Sequence, residues 1–467
     1  MSPSEPLEVP GRLDALCGFS RVCSCGRTHA VPIQKIVLGR GVLSEAAPLA
    51  RMFGAGLPVS VVFDRVTREV AGERAARLLE RDGFSVRRVL VPDGAGGRPH
   101  ADEATLRLVE DALAGRALAV AVGAGTINDL CKLSAHRRNI PYLCVATAPS
   151  MNGYTSALAA VMLAGVKRTV ECPPPAAVLA DVDVLAAAPI RLVRAGLGDL
   201  ESKPTATADF RLGGFLGRSS YCPVPERVVF AAEARAAEVA EGIGRADPEA
   251  VAVVTEALLL SGISMTLAGS SAPASGGEHL ISHHWDMTAS REGRVEGLHG
   301  EQVGVCTLMT SALYEELAAL DPAAIDVERL VATRPGWAEI ERRCREEHPE
   351  QPDEVWAEWK KKLLPPEALR AELSRIRDGW DELWRELGPV LRPADRVRKI
   401  LAAAGAPVTM PQIGLSPEHA RHSLLIAHQI RGRFTVLDLA DELGVLQPLA
   451  PRVIARAGVN PQKRSVY

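Results

Sequence analysis

The chain has 467 residues, 47% of them hydrophobic and only 4% aromatic, with a net charge of −3. That length exceeds one ordinary hydrophobic core and predicts two domains. The near-neutral charge lacks the basic excess of a nucleic-acid binder and the polybasic tract of a protein drawn to acidic lipid, so neither nucleic acid nor membrane insertion is expected.

In chain order, residues 1–32 read as an irregular N-terminal flap. Within it, Cys23-Ser24-Cys25 and His29 offer two thiols and an imidazole suited to zinc. A structural site takes four ligands and no fourth lies nearby in the chain, so a flap of reduced cysteines is the expected state. The nine cysteines are scattered, which fits reduced thiols in a cytoplasm. The first residues carry acids and prolines rather than a basic start and an apolar run, so no signal peptide is expected.

From 33 to 185, strand-like and helix-like stretches alternate. Strands are predicted at Lys35–Leu38, Val59–Asp64, Val86–Val91, Ala117–Val122, Tyr142–Ala146 and Ala177–Asp181. Helices are predicted at Leu43–Phe53, Thr67–Arg81, Glu103–Ala114 and Asn128–His136. Two short apolar runs joined near Ala164-Gly165 read as a hairpin. Such alternation predicts an α/β, Rossmann-like parallel sheet with helices on both faces.

From 186 to 467 strand signals nearly vanish and an all-α half is predicted. Its helices are Pro189–Gly196, Asp199–Leu212, Arg227–Glu241, Pro248–Ala268, Glu278–Thr288 and His299–Leu320. The apolar stretch Val251–Gly269 carries Glu256 and several hydroxyl residues, so it reads as a buried helix and not a membrane span. Between about 334 and 395 lie Trp337, Trp356, Trp359, Trp380 and Trp384 amid dense charge. Spacings of three and four predict amphipathic helices that pack on the helical domain.

Chemistry is expected in four places. Gly123-Ala124-Gly125-Thr126-Ile127-Asn128-Asp129 follows a buried strand and opens a helix, which suits a nucleotide pyrophosphate. It departs from the full glycine fingerprint, since Asn128 takes the third glycine place. Asp64 ends a strand, where a carboxylate accepts from a ribose diol or simply caps the next helix. The loop Thr147–Ser156 crowds hydroxyls and an amide at the edge where such sheets bind ligands. Finally, Asp199, His279 and His299 supply one carboxylate and two imidazoles, a set that suits zinc, nickel or iron and leaves positions open for substrate. His283 shares a helix face with His279 at i+4.

Taken together, Gly123–Asp129, Thr147–Ser156, Gly196–Asp199 with Lys203 and Ala208-Asp209-Phe210, Gly277–Trp285, Leu298–Val303 and Arg433–Leu439 resemble the bacterial-type sn-glycerol-1-phosphate dehydrogenases. Cys23-x-Cys25-Gly26 and the Trp-rich insertion are similar to that family too. These strings also place the chain in a wider group with glycerol dehydrogenase, iron-type alcohol dehydrogenases and dehydroquinate synthase. The resemblance implies a Rossmann-like domain plus an all-helical metal domain in a cytoplasmic homo-oligomer, a dimer or larger. It implies reversible reduction of dihydroxyacetone phosphate by NADH or NADPH to sn-glycerol 1-phosphate, a head group for ether-type lipids. By that likeness Asp199, His279 and His299 hold the metal. Gly123, Gly125, Thr126, Asp129, Thr147, Ser150, Ser156 and Leu158 line the cofactor, Asp64 meets its ribose, and Lys167 reaches a phosphate. Asn152, Lys203 and His283 are the candidate catalytic residues. One departure stands out: the family pattern expects aspartate where this chain has Asn152. The alternatives are the same machinery turned to another small polyol, hydroxyaldehyde or phosphonate, a dehydroquinate synthase-like cyclase, and a nucleotide-binding protein without catalysis.

Overall fold

The computed structural model describes residues 7–163, 166–289, 293, 294 and 297–459, with the backbone alone at Ala95, Val166 and Lys167. Internal contacts divide the chain into two compact units. One holds Met1–Leu200, Cys222–Ser271 and Ala403–Ala406; the other holds Glu201–Tyr221, Ala272–Ala402 and Pro407–Tyr467.

Among the described residues, ten strands lie in the first unit: β1 (Ser20–Val22), β2 (Thr28–Ala30), β3 (Lys35–Gly39), β4 (Pro58–Asp64), β5 (Ser85–Val91), β6 (Leu118–Gly123), β7 (Tyr142–Ala146), β8 (Leu158–Leu163), β9 (Val166–Glu171) and β10 (Ala177–Asp181). Six form one sheet in the order β3-β10-β7-β6-β4-β5, every pairing parallel. The continuous apolar runs explain this. β6, β7 and β10 are buried along their whole length, as strands covered on both faces must be. Val61, Phe63, Val120, Val122, Val145 and Leu179 share one core cluster with Ala75 and Leu79 of the helix Glu73–Arg81 and with Leu43, Ala46 and Leu49. Edge strand β5 instead carries Arg87 and Arg88, and Arg88 pairs with Glu73 and Glu80. Charge on an edge discourages further strand pairing.

The predicted strands are all present to within two residues at each end. The helices depart more. Thr67–Arg81 contains a π-helical turn, Arg68–Gly72, at which a side chain on Gly72 would strike the Phe63 ring. Leu43–Phe53 is a short 3-10 turn followed by Ala46–Arg51. β8 and β9 form the expected antiparallel hairpin, and its turn at Ala164-Gly165 lies outside the described residues.

Helices α1 (Gly125–Arg138), α2 (Ile190–Glu201), α3 (Lys203–Phe215), α4 (Pro248–Ala268), α5 (Gly277–Ala289), α6 (His299–Ala318) and α7 (Val436–Glu442) follow in chain order. α4 is long and apolar enough to cross a membrane, but most of its side chains are buried in the protein, as the polar residues in it predict. Asp199 does not begin a helix, contrary to expectation. α2 runs through it to Glu201, and the chain restarts at Lys203 because Pro204 cannot continue a helix and sits best in a first turn.

In the second unit, Asp209 of α3 acts as a hub. It accepts the Gly277 N–H at the start of α5 (2.7 Å), the Val436 N–H at the start of α7 (2.7 Å) and the Tyr314 hydroxyl (2.6 Å). Burial and the nearby Glu278 charge push the Asp209 carboxyl above the ordinary aspartate value, and the Tyr314 hydroxyl and the two helix N-termini offset this only in part. The tryptophan segment forms four helices, Trp337–Glu347, Pro352–Trp359, Pro366–Asp378 and Trp380–Leu387. Trp356, Trp359 and Trp380 are buried, with edge-on contacts from Trp356 to Trp359 and from Trp380 to Trp384. Trp337 alone of the five is largely exposed.

Candidate active site

The sheet sets out the first part of the site. β4 leads outward to β5, while β6 leads the other way to β7, so the carboxyl ends of β4 and β6 flank a topological switch point, the usual ligand crevice of an open α/β sheet. Asp64 ends β4, Gly123 ends β6 and Thr147 follows β7, on three adjacent strands. Ala124 caps α1 without offering a side chain, so no capping group covers the N–H groups of Gly125 and Thr126 in the first turn. That arrangement suits a phosphate. Gly123 is fixed by packing, since a side chain there would collide with Ile127 at 2.5 Å.

Asp64 performs the capping role: its Oδ1 accepts the Thr67 N–H (2.7 Å) and the Thr67 hydroxyl accepts the Asp64 N–H (3.0 Å). Asp129 turns toward protein groups, accepting the Ala160 N–H at 3.1 Å, and burial pushes its carboxyl up. Three residues on, Lys132 is buried and donates to the carbonyls of Gly153 and Leu158 (2.8 Å each) and to Ser156 Oγ (3.3 Å). Sequence reading missed this lysine, although its i+3 spacing from Asp129 on one helix was the available signal. Ser156 also donates within the same loop. Ser150 donates its N–H to the Ala148 carbonyl, and Thr147 donates to that of Gly123. The Lys167 side chain lies outside the described part of the structure.

The loop 147–156 is gripped by two helices through glycines. A side chain on Gly196 of α2 would lie 1.9 Å from the Pro149 carbonyl oxygen, and one on Gly262 of α4 would lie 2.1 Å from the Thr155 hydroxyl and 2.4 Å from the Asn152 carbonyl oxygen. The Tyr154 hydroxyl donates to the Ala148 carbonyl and the Thr155 hydroxyl to that of Leu259. Asn152 is thereby held rigidly. Its N–H donates to Asp199 Oδ2 (3.0 Å), and its side-chain amide donates to Ser261 Oγ (3.0 Å).

Of the three candidate ligands, Asp199 lies at the end of α2 in the first unit, and His279 and His299 lie in the second. The His279 and His299 rings are 5.1 Å apart, and His283 stacks on His299 at 5.8 Å and 21°. His279 Nδ1 lies 2.8 Å from Glu278 Oε1; a carboxylate only accepts, so Nδ1 carries the proton and Nε2 is the ligand nitrogen. Glu278 also accepts the Gly276 N–H and the Thr205 hydroxyl. Burial pushes its carboxyl up, but the His279 hydrogen bond and charge and the Gly276 N–H outweigh this and hold it below the ordinary glutamate value. A charged Glu278 then fixes the imidazole and raises its basicity. The Asp199 carboxylate, held by the Asn152 N–H, and the His279 imidazole, held by Glu278, are donor types that with a second imidazole suit a divalent ion of the zinc, nickel or iron type. Glu278 was the second residue that sequence reading left without a role. Lys203 is buried, donating to Ser202 Oγ (3.1 Å) and to the Ala274 carbonyl (3.0 Å).

The pattern of the iron-containing alcohol dehydrogenase family matches residues 37–189. The chain is 31% identical over 432 residues to a glycerol-1-phosphate dehydrogenase (NAD(P)+) of Bacillus licheniformis, covering 91% of this chain and 94% of that one. The enzyme of the same name from Geobacillus stearothermophilus is 30% identical over 434 residues, covering 92% and 98%. One from Pyrococcus furiosus is 34% identical over 281 residues, covering 60% and 78%. Among solved structures, glycerol dehydrogenase from Schizosaccharomyces pombe matches with a TM-score of 0.57 at 18% identity, covering 92% of each chain. That likeness shows a shared fold, a parallel α/β part followed by a mostly helical part, as the sequence predicted.

Proposed function

The chain belongs to the glycerol-1-phosphate dehydrogenase family, and from that premise we propose how its residues carry out the reversible reduction of dihydroxyacetone phosphate to sn-glycerol 1-phosphate with NAD(P)H. A divalent ion held by Asp199, His279 and His299 would supply Lewis acidity at the ketone oxygen, and the nicotinamide would supply the hydride. The residues of the chain do the rest. The first turn of α1, with Gly123, Gly125 and Thr126, binds the cofactor pyrophosphate, and Asp64 meets the adenine ribose. Asn152 holds the Asp199 carboxylate through its backbone N–H and so fixes one ligand against the loop that borders the substrate. Glu278 fixes the His279 ring. His283, stacked on His299, moves the proton that the product hydroxyl requires. Lys203 faces the substrate side, and the enzyme works as a cytoplasmic homo-oligomer.

The observation that carries this reading is the group of three imidazoles in the second unit, His279, His283 and His299, with Glu278 orienting the first. Nothing in the site favours a cyclase or a retired enzyme. The test is oxidation of NADH and NADPH by dihydroxyacetone phosphate, using chelator-stripped protein resupplied with zinc, nickel or iron. Metal-dependent turnover to sn-glycerol 1-phosphate is expected, and the same assay ranks the metals and the two cofactors. Tight metal and NAD binding without turnover of this ketone would overturn the substrate assignment.

A further inference from the structure

A second cluster of metal-ligating side chains lies in the first unit, apart from the residues assigned above. Cys23, Cys25 and His29 come from the hairpin β1–β2. A fourth group, Cys222, arrives from 199 residues after Cys23 in the sequence, just ahead of the helix Val224–Glu238. The four ligand atoms all lie within 4.8 Å of one another. We propose that Cys23, Cys25, His29 and Cys222 form a closed, structural zinc site that fastens the N-terminal hairpin to the segment ahead of the helix Val224–Glu238, with His29 and Arg27 reaching from the hairpin to the end of α4.

The distances fit the ion. A tetrahedral zinc with Zn–S of about 2.3 Å and Zn–N of about 2.0 Å sets sulfurs roughly 3.8 Å apart and sulfur and nitrogen roughly 3.6 Å apart. Cys23 Sγ to Cys222 Sγ is 3.8 Å, Cys25 Sγ to His29 Nε2 is 3.4 Å and Cys222 Sγ to His29 Nε2 is 3.3 Å. A disulfide would need sulfurs at about 2.0 Å, and none of the nine cysteines is bonded to another.

The histidine is oriented for the task. His29 Nδ1 lies 2.7 Å from the Leu267 carbonyl, and a carbonyl only accepts, so Nδ1–H donates to it and Nε2 faces the sulfurs. The hairpin turn is shaped likewise. The Gly26 N–H donates to the Cys23 carbonyl, the Cys23 N–H donates to that of Arg27, and Gly26 takes the positive φ of 83° that brings Cys25 back toward Cys23. Cys23 and Cys222 also pack with Val224, Leu7 and Val9, which shelters one side of the cluster. Zinc binding displaces three thiol protons to solvent and leaves the imidazole neutral.

The consequence for the fold is specific. The last carbonyls of a helix have no partner within it. Here the Leu267 carbonyl of α4 is bonded by His29 and that of Ala268 by Arg27 (3.1 Å). The zinc site therefore closes on the helix whose Ser261 and Gly262 seat Asn152 and its loop. This assignment stands whether or not the redox reading above is correct.

The experiment is zinc analysis of the full chain after dialysis against EDTA, with a cobalt(II)-grown sample examined for thiolate-to-cobalt charge-transfer absorption. Wild type and His279→Ala are expected to retain one EDTA-resistant zinc per chain and to show the charge-transfer band. Cys222→Ser and Cys25→Ser are expected to lose that zinc and to melt at lower temperature. Cys25 is solvent-exposed, so its variant tests ligation even if Cys222→Ser fails to fold. A wild-type protein with no charge-transfer band, a Cys25→Ser variant that keeps the zinc, or a Cys23–Cys222 disulfide in peptide maps would overturn the assignment.

Discussion

The two ligand clusters are built from the same parts to opposite ends. Both contain a histidine whose Nδ1 is committed to an oxygen acceptor, which presents Nε2 to the cluster. In one the acceptor is the carbonyl of Leu267, a neutral group that simply orients the ring. In the other it is the Glu278 carboxylate, which adds charge and basicity. One cluster offers four donors, the number a tetrahedral ion takes; the other candidate set offers three, and three protein donors would leave positions open for substrate. Donor count and outer partner together separate a fastening from a working site.

That contrast is sharpest when one donor is removed from each. His279→Ala is expected to abolish metal-dependent ketone reduction, while Cys25→Ser keeps its turnover at temperatures below its own melting point. Steady-state kinetics on both variants check this, and a dead Cys25→Ser enzyme that remains folded breaks the contrast. The outer partners come next. Glu278→Gln keeps an acceptor for His279 Nδ1 but removes the charge, so affinity for the active-site metal is expected to fall by about 10–100-fold. A competition titration with a chromogenic chelator reads it; an unchanged affinity would show that orientation alone is what Glu278 provides.

The loop between these clusters in sequence offers a third test. Gly196→Ala drives a methyl group into the Pro149 carbonyl, and the helix or the loop must move. Overpacking of this kind costs about 1–3 kcal/mol. A lowered melting temperature together with a lowered kcat is expected, because the displaced loop carries Asn152. A loss of stability with kcat intact would mean the loop relaxes without disturbing the site.

Asn152→Asp probes the departure from the family pattern. The amide now donates to Ser261 Oγ, and a hydroxyl can turn to donate instead, so the carboxylate fits with little change in stability. Dihydroxyacetone phosphate reduction is expected to rise, since a carboxylate adds a proton acceptor beside the metal ligands. A fall in rate would show that Asn152 serves this chain better as a neutral holder of Asp199 than as an acid.

Much of this was legible in the sequence because local signals carried it. Continuous apolar runs gave the buried strands, and Gly-x-Gly after β6 marked the turn at the switch point. The i,i+4 pair His279 and His283 does share one helix face, with ring centroids 6.2 Å apart. What stayed hidden depended on long-range placement. The flap cysteines are free thiols, as expected, but Cys222 has no sequence feature that joins it to Cys23, so the fourth candidate donor could not be found from the flap alone. The end of α2 was misread because Asp199 looks like a helix start, whereas Pro204, five residues on, decides where the break falls. Asp209 showed no role in its own neighbourhood; its partners, Gly277, Tyr314 and Val436, are all more than 60 residues away.

The smallest expected effect separates two roles at one residue. Asp64 caps the short helix that begins at Arg65, and it ends β4 beside the switch point. Asparagine caps helices as well as aspartate does, so Asp64→Asn is expected to leave the melting temperature unchanged, whereas Asp64→Ala costs about 1 kcal/mol. A ribose diol donates its hydroxyl hydrogens to a carboxylate more strongly than to an amide, by the margin that separates charged from neutral acceptors. Asp64→Asn is therefore expected to raise the KM for NADH and leave kcat in place. An unchanged KM would assign Asp64 to the fold alone, and the ribose would then be held by backbone groups at the ends of β4 and β6.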